Sequence, residues 1–138
     1  MSRIVSSQST GRERAQLVRA IVVAIRELSR QSSFGDEARD LASFLVLALR
    51  TVLKGVDASA KAWEKRGYWV KADRFRMDWN WAESLAVRLQ AAIESGDEPS
   101  VASLVMQVAQ RLNSVRVSAN PRVGTPWTGA FARMTSNS

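Results

Sequence analysis

Carboxylates are the strongest acid–base candidates in this chain of 138 residues, because it contains neither histidine nor cysteine. That double absence excludes disulfides, cysteine nucleophiles, zinc sites built on these residues, haem held by a histidine or cysteine, and any catalytic triad that needs an imidazole. Two acidic clusters are present: Asp36, Glu37 and Asp40, and, more loosely, Asp73, Asp78 and Glu83. All-helical nucleotide pyrophosphatases hold Mg²⁺ with paired acidic clusters on adjacent helices, so a metal site is one interpretation.

Helix electrostatics and ion pairing explain the same carboxylates more simply. Asp36 and Glu37 fall in the first turn of a predicted helix, where the positive end of the helix dipole favours acids. The second cluster is interleaved with Arg74 and Arg76, which predicts ion pairs. No glycine-rich phosphate loop occurs in the sequence. We therefore expect no catalytic residue, no metal ion and no cofactor, and a protein that is not an enzyme.

Arginine is the residue type that points to a ligand. Twenty Lys and Arg against thirteen Asp and Glu give a net charge of +7. The first predicted helix carries arginines at intervals of 7, 7 and 4 residues: Arg12, Arg19, Arg26 and Arg30. These spacings place the four side chains on one face, and such a stripe is typical of contact with a phosphate backbone. A basic face that is only solvated is the alternative.

Tryptophan and arginine are mixed in the segment from Trp63 to Arg88, which holds four of the five tryptophans. One side of this segment carries Val70, Arg74, Met77, Trp81 and Arg88, opposite its expected core face. Guanidinium groups pair with phosphates, and indole rings stack on unpaired bases. Arg74, Trp81 and Arg88 are therefore predicted to form a second nucleic-acid-binding patch.

A protein contact is the competing interpretation of this side, since tryptophan and arginine are also enriched at protein–protein interfaces. The predicted interface set is Val70, Met77 and Trp81, together with Trp127 and Phe131 near the C-terminus. A third interpretation is that Met77 and Trp81 are core residues of a helix buried from two sides. The sequence leaves all three open.

Helical periodicity dominates the chain, and no stretch alternates as a strand would. The clearest pattern is a heptad seam of Tyr68, Ala72, Phe75, Trp79, Ala82, Ala86, Leu89 and Ile93. Breaks are predicted after Ser32, at Gly67 and at Gly96, with Asp97 as the N-cap of the last helix. Whether 36–95 forms two helices or one kinked rod is open, and we favour two.

These elements predict an all-α fold, an antiparallel four-helix bundle (or one with a long kinked helix) followed by an extended C-terminal tail. We expect a flexible leader over 1–10, a helical bundle domain over 11–117, and a Pro/Gly-containing tail over 118–138. The longest mostly apolar run, from Leu41 to Leu49, is shorter than the ~20 residues that span a bilayer. We therefore expect a cytoplasmic protein with no membrane partner.

The function that these features favour is a small basic helical accessory subunit that binds the backbone of RNA or DNA non-specifically within a larger complex. No recognition-helix turn or aromatic sheet platform indicates sequence-specific reading. In size, charge and helicity the chain resembles the small helical subunits that line the nucleic-acid groove of RNA-guided CRISPR effector complexes; this resemblance rests on no residue match and assigns no site. The alternative is a non-catalytic scaffold or assembly protein that makes helix–helix contacts with itself or with a protein partner.

Overall fold

The all-α class is confirmed by a computed structural model, which describes the backbone of residues 7–136 and the side chains of residues 11–136. This part of the chain contains no strand and six α-helices: α1 Ser7–Ser29, α2 Asp36–Lys65, α3 Trp69–Trp79, α4 Trp81–Ser95, α5 Glu98–Arg111 and α6 Ala130–Ser136. Helix α1 begins inside the predicted flexible leader. The rest of that leader, residues 1–6, lies outside the described residues.

Helix α2 is the centre of the fold and contacts α1, α3, α4 and α6. Because it is covered from several sides, its residues 41–46 are all buried rather than alternating with exposed ones. Leu41, Leu45 and Leu49 are fully enclosed. The apolar run from Leu41 to Leu49, which is too short to cross a membrane, is thus part of the core of the protein. No helix in the described part of the chain is both long and apolar enough to cross a bilayer.

Two glycines end helices where the sequence predicts breaks. Gly67 follows α2 with φ of 85°, and Gly96 ends α4 with φ of 71°, a left-handed conformation that glycine adopts without a steric penalty. The carboxylate of Asp97 then accepts a hydrogen bond from the backbone N–H of Ser100 at 3.3 Å and caps α5. The local sequence therefore determines where α4 ends and where α5 begins.

The predicted third helix is divided into α3 and α4 by a turn at Asn80. Residues 36–95 consequently form three helices, not two. The seam survives the break, since Ala72, Ala82 and Leu89 are completely buried on either side of it. Tyr68 was expected in that seam, but it precedes α3 and leaves 55% of its surface exposed.

The predicted extended tail returns to the core and ends in helix α6. Trp127, Ala130 and Met134 are buried there. The carboxylate of Asp40 on α2 accepts the backbone N–H groups of Gly129 at 3.0 Å and Phe131 at 2.9 Å. These amides lie at the start of α6, where a helix has no internal acceptors for them, so α2 supplies the cap.

Candidate nucleic-acid interface

A basic groove, called here the α1 groove, lies between helix α1 and the segment over 116–126. It has a volume of about 680 Å³, and Arg19, Arg116 and Arg122 line it. Glu13 is the one carboxylate among its lining residues. The three arginines form no ion pair with any described residue, so positive charge exceeds negative charge in this groove by three groups to one.

Arg26 fixes the segment that closes this groove. Its guanidinium donates hydrogen bonds to the carbonyl oxygen of Ser118 at 2.8 Å and to that of Val117 at 3.3 Å. The chain after α5 is thereby held against α1. Arg116 and Arg122, which lie far from α1 in the sequence, reach its basic face for this reason.

A smaller groove of about 340 Å³, called the Trp79 groove, continues from the first and shares Arg19 and Arg116 with it. Arg14 and Trp79 complete its polar and aromatic lining. The Arg14 guanidinium lies 4.8 Å from the centroid of the Phe75 ring, and its Nη1 atom is buried without a hydrogen-bond partner among the described residues. Burial lowers the pKa of Arg14, but an arginine keeps its charge in proteins. Arg14 therefore adds a charged guanidinium to this groove, with one of its nitrogens buried.

A third groove, called the α4–α5 groove, has a volume of about 490 Å³ and is lined by Trp81, Arg88, Gln107, Gln110 and Arg111 among others. No carboxylate is among the described residues that line it. Arg88 and Gln107 also line its continuation towards the loop between α4 and α5. Aromatic, cationic and amide side chains are the groups with which proteins hold nucleic acid.

Two stacked indoles belong one to the Trp79 groove and one to the α4–α5 groove. The rings of Trp79 and Trp81 lie 5.7 Å apart, centroid to centroid, with 26° between their planes. Residues two apart do not face each other in a regular helix, so this stack depends on the turn at Asn80. The arginines that line the three grooves form what we call the arginine band: Arg14, Arg19, Arg88, Arg111, Arg116 and Arg122.

The predicted stripe on α1 is only partly available to a ligand. Arg12 and Arg19 are exposed and form no ion pair with described residues, although Arg12 lines none of the three grooves. Arg26 is engaged with the segment after α5. Arg30 forms an exposed ion pair with Glu27 at 3.2 Å. Arg19 is thus the member of the stripe that belongs to the band.

The predicted second patch is brought together in part. Trp81 and Arg88 share the α4–α5 groove, whereas Arg74 is exposed on α3 and does not line it. Arg111 occupies that groove instead, with its guanidinium carbon 5.7 Å from the centroid of the Trp81 ring. Sequence reasoning missed four members of the band: Arg14, Arg111, Arg116 and Arg122. Their only sequence signal is the excess of basic charge, because their grouping arises between elements far apart in the chain.

The predicted protein-interface set is divided by the structure. Val70 and Met77 on α3 are each 69% exposed, and Trp81 is half-buried in the α4–α5 groove. Trp127 is 6% exposed and belongs to the core, so its assignment as a docking residue is wrong. Phe131 is half-buried, with the Arg39 guanidinium 4.0 Å from its ring centroid. Both aromatic residues fasten the returning tail.

The first acidic cluster is used within the fold. Asp36 pairs with Arg39 at 3.3 Å, and Asp40 caps α6. The described residues contain no group of three or more acidic side chains placed to hold a metal ion.

Comparisons of the chain with protein-family models, with curated proteins and with solved structures find no match.

Proposed function

We propose that this protein is a small non-catalytic subunit that holds the backbone of RNA or DNA along the arginine band, without reading sequence, as one component of a larger complex. The observation that carries this proposal is that six arginines, none of which forms an ion pair with a described carboxylate, line three grooves. Guanidinium groups match the geometry of phosphate oxygens and form charge-assisted hydrogen bonds with them.

The way the band is assembled supports binding without sequence reading. Its arginines come from α1, α4, α5 and the segment after α5, and they line open grooves. Contacts of this kind with phosphates fix the position of a nucleic acid but carry no sequence information. An accessory subunit that must accept any sequence needs this property.

Salt dependence tests the proposal. We expect a labelled single-stranded oligonucleotide of mixed sequence to bind with a slope of log K against log salt between about −3 and −4, because about four to six phosphates are neutralised. Fluorescence anisotropy at several salt concentrations measures this slope. An affinity that does not change with salt, or no binding at low salt, would contradict the proposal.

Paired variants locate the binding surface. Arg88→Gln with Arg111→Gln removes two charges from the band, so we expect affinity to fall about tenfold or more and the slope to become shallower by about 1.4. Arg66→Gln with Arg74→Gln is the matched control, since both residues are exposed and line none of the three grooves. An equal loss in the two double variants would show that net charge alone, and not the band, determines binding.

A scaffold role is the second candidate, and the exposed apolar side chains around α3 favour it. Trp69, Val70 and Met77 are 60–69% exposed, and large apolar groups clustered at a surface often mark a contact with protein. If α3 mediates self-assembly, Val70→Ser with Met77→Ser lowers the mass in analytical ultracentrifugation to that of a monomer. Arg88→Gln with Arg111→Gln leaves that mass unchanged. A wild-type chain that is monomeric at high concentration removes self-assembly from this candidate.

A further inference from the structure

Resting on the proposed function, we further propose that the arginine band takes a single strand, and that one unpaired base stacks on Trp81 after Arg111 moves from the indole to a phosphate. The surroundings of the Trp81 ring support this assignment.

Trp81 is held in place before any ligand binds. Its Nε1–H donates a hydrogen bond to the backbone oxygen of Asp78 at 3.1 Å, and Trp79 stacks on the ring. The side chain is half-buried, and its ring lines the α4–α5 groove. A ring fixed in this way loses little freedom when a base stacks on it, which favours binding.

Arg111 lies over this ring but is not fixed there. Its guanidinium carbon lies 5.7 Å from the Trp81 centroid, close to the outer limit of about 6 Å for a cation–π contact. No hydrogen bond or ion pair with a described residue holds it there, and the side chain is exposed. A phosphate in the groove offers this guanidinium a stronger, charge-assisted contact. The move to the phosphate clears the ring that a base can then cover.

The rest of the groove suits the nucleotide that such a base belongs to. Arg88 supplies a second cation, and the amides of Gln107 and Gln110 supply donors and acceptors for the sugar and the phosphate. The bases of a duplex are already stacked and paired inside the helix, so they present no free face to an indole. The combination of cations, amides and a fixed indole therefore fits an unpaired nucleotide.

Trp69 provides a comparison within the same chain. It is 60% exposed, yet it lines none of the three grooves. An effect confined to Trp81 would thus reflect the groove and not a general attraction of nucleic acid to indoles.

The test compares four probes of equal length at one salt concentration: oligothymidylate, oligouridylate, an abasic strand with the same phosphates, and a duplex. We expect the wild-type protein to bind the base-containing single strands roughly 5- to 150-fold more tightly than the abasic strand, the range for one stacked base. Trp81→Leu is expected to remove that preference while keeping the salt slope. Trp69→Leu is expected to behave as the wild type, and Trp81→Phe to retain part of the preference.

The outcomes separate the two proposals. If the wild-type protein binds the abasic strand and the duplex as tightly as the base-containing strands, the stacking inference is wrong and backbone binding stands. If it binds no probe at low salt, both proposals fail. The ratio of the affinities for oligothymidylate and oligouridylate shows whether the protein prefers DNA or RNA. Because the wild-type ratio of thymidylate to abasic binding already tests stacking, the result does not depend on Trp81→Leu folding.

Discussion

At the scale of single residues, Asp40 connects the C-terminal segment to the centre of the fold. Its two carboxylate oxygens accept hydrogen bonds from the backbone N–H groups of Gly129 and Phe131. These residues lie 89 and 91 positions after Asp40 in the chain. Asp36 lies four residues earlier on the same helix, but its side chain is almost fully exposed and forms only a surface ion pair with Arg39. The two aspartates have similar sequence surroundings and different structural importance.

We expect Asp40→Ala to lower the free energy of unfolding by about 1–2 kcal/mol, because it removes the cap of α6 and leaves two amides without their acceptor. Urea denaturation measures this loss, and a red shift of tryptophan emission would report exposure of Trp127. Asp36→Ala is the control, with an expected change within about 0.5 kcal/mol. Equal effects of the two substitutions would contradict the role assigned to Asp40.

At the scale of elements, local sequence predicted what local physics determines. The breaks at Gly67 and Gly96 and the cap at Asp97 need only their neighbours, and all are observed. The turn at Asn80 was not predicted, because its φ of −64° and ψ of −21° remain close to helical values and the heptad seam continues across it. A periodic pattern with no Gly or Pro gives no signal of such an interruption.

The same distinction explains why the candidate site was predicted only in part. Arg19, Trp81 and Arg88 were found because each lies on a helical face whose periodicity can be counted. Arg111, Arg116 and Arg122 join them through contacts between distant segments, of which the hydrogen bonds from Arg26 to residues 117 and 118 are an example. Trp127 was misassigned for a related reason. It lies in a Pro/Gly-containing segment that has no helical periodicity, so the sequence gives no sign that the cap from Asp40 holds this segment against the core.

At the scale of the whole molecule, the carboxylates that form ion pairs are kept away from the arginine band. The described ion pairs use acids of α1 and α2: Glu27, Asp36, Asp57 and Glu64. The six arginines of the band therefore face one carboxylate, that of Glu13, among the described residues that line the three grooves. Like charges gathered in this way repel one another, and a polyanion bound along the grooves relieves that repulsion.

The same composition predicts how stability depends on pH. Three carboxyl groups have a pKa below the ordinary value: that of Asp57 because Lys61 donates a hydrogen bond to it, that of Glu64 because Arg76 does, and that of Asp97 because Ser100 does. A pKa that is lower in the folded than in the unfolded chain means that the ionised form favours folding. These contributions are present above the unfolded values near pH 4 and are lost as the pH falls through the folded values.

No side chain with an ordinary pKa between about 5 and 8 exists in a chain without histidine or cysteine. We therefore expect the melting temperature to stay level from about pH 5.5 to 8 and to fall progressively below about pH 4.5. Arg76→Gln should make the acid fall shallower, because Glu64 then loses the hydrogen bond that lowers its pKa. Thermal denaturation followed by circular dichroism in low-salt buffers measures both curves. A transition centred near pH 6.5, or an acid limb that is unchanged in Arg76→Gln, would mean that some other group governs the response of this fold to protons.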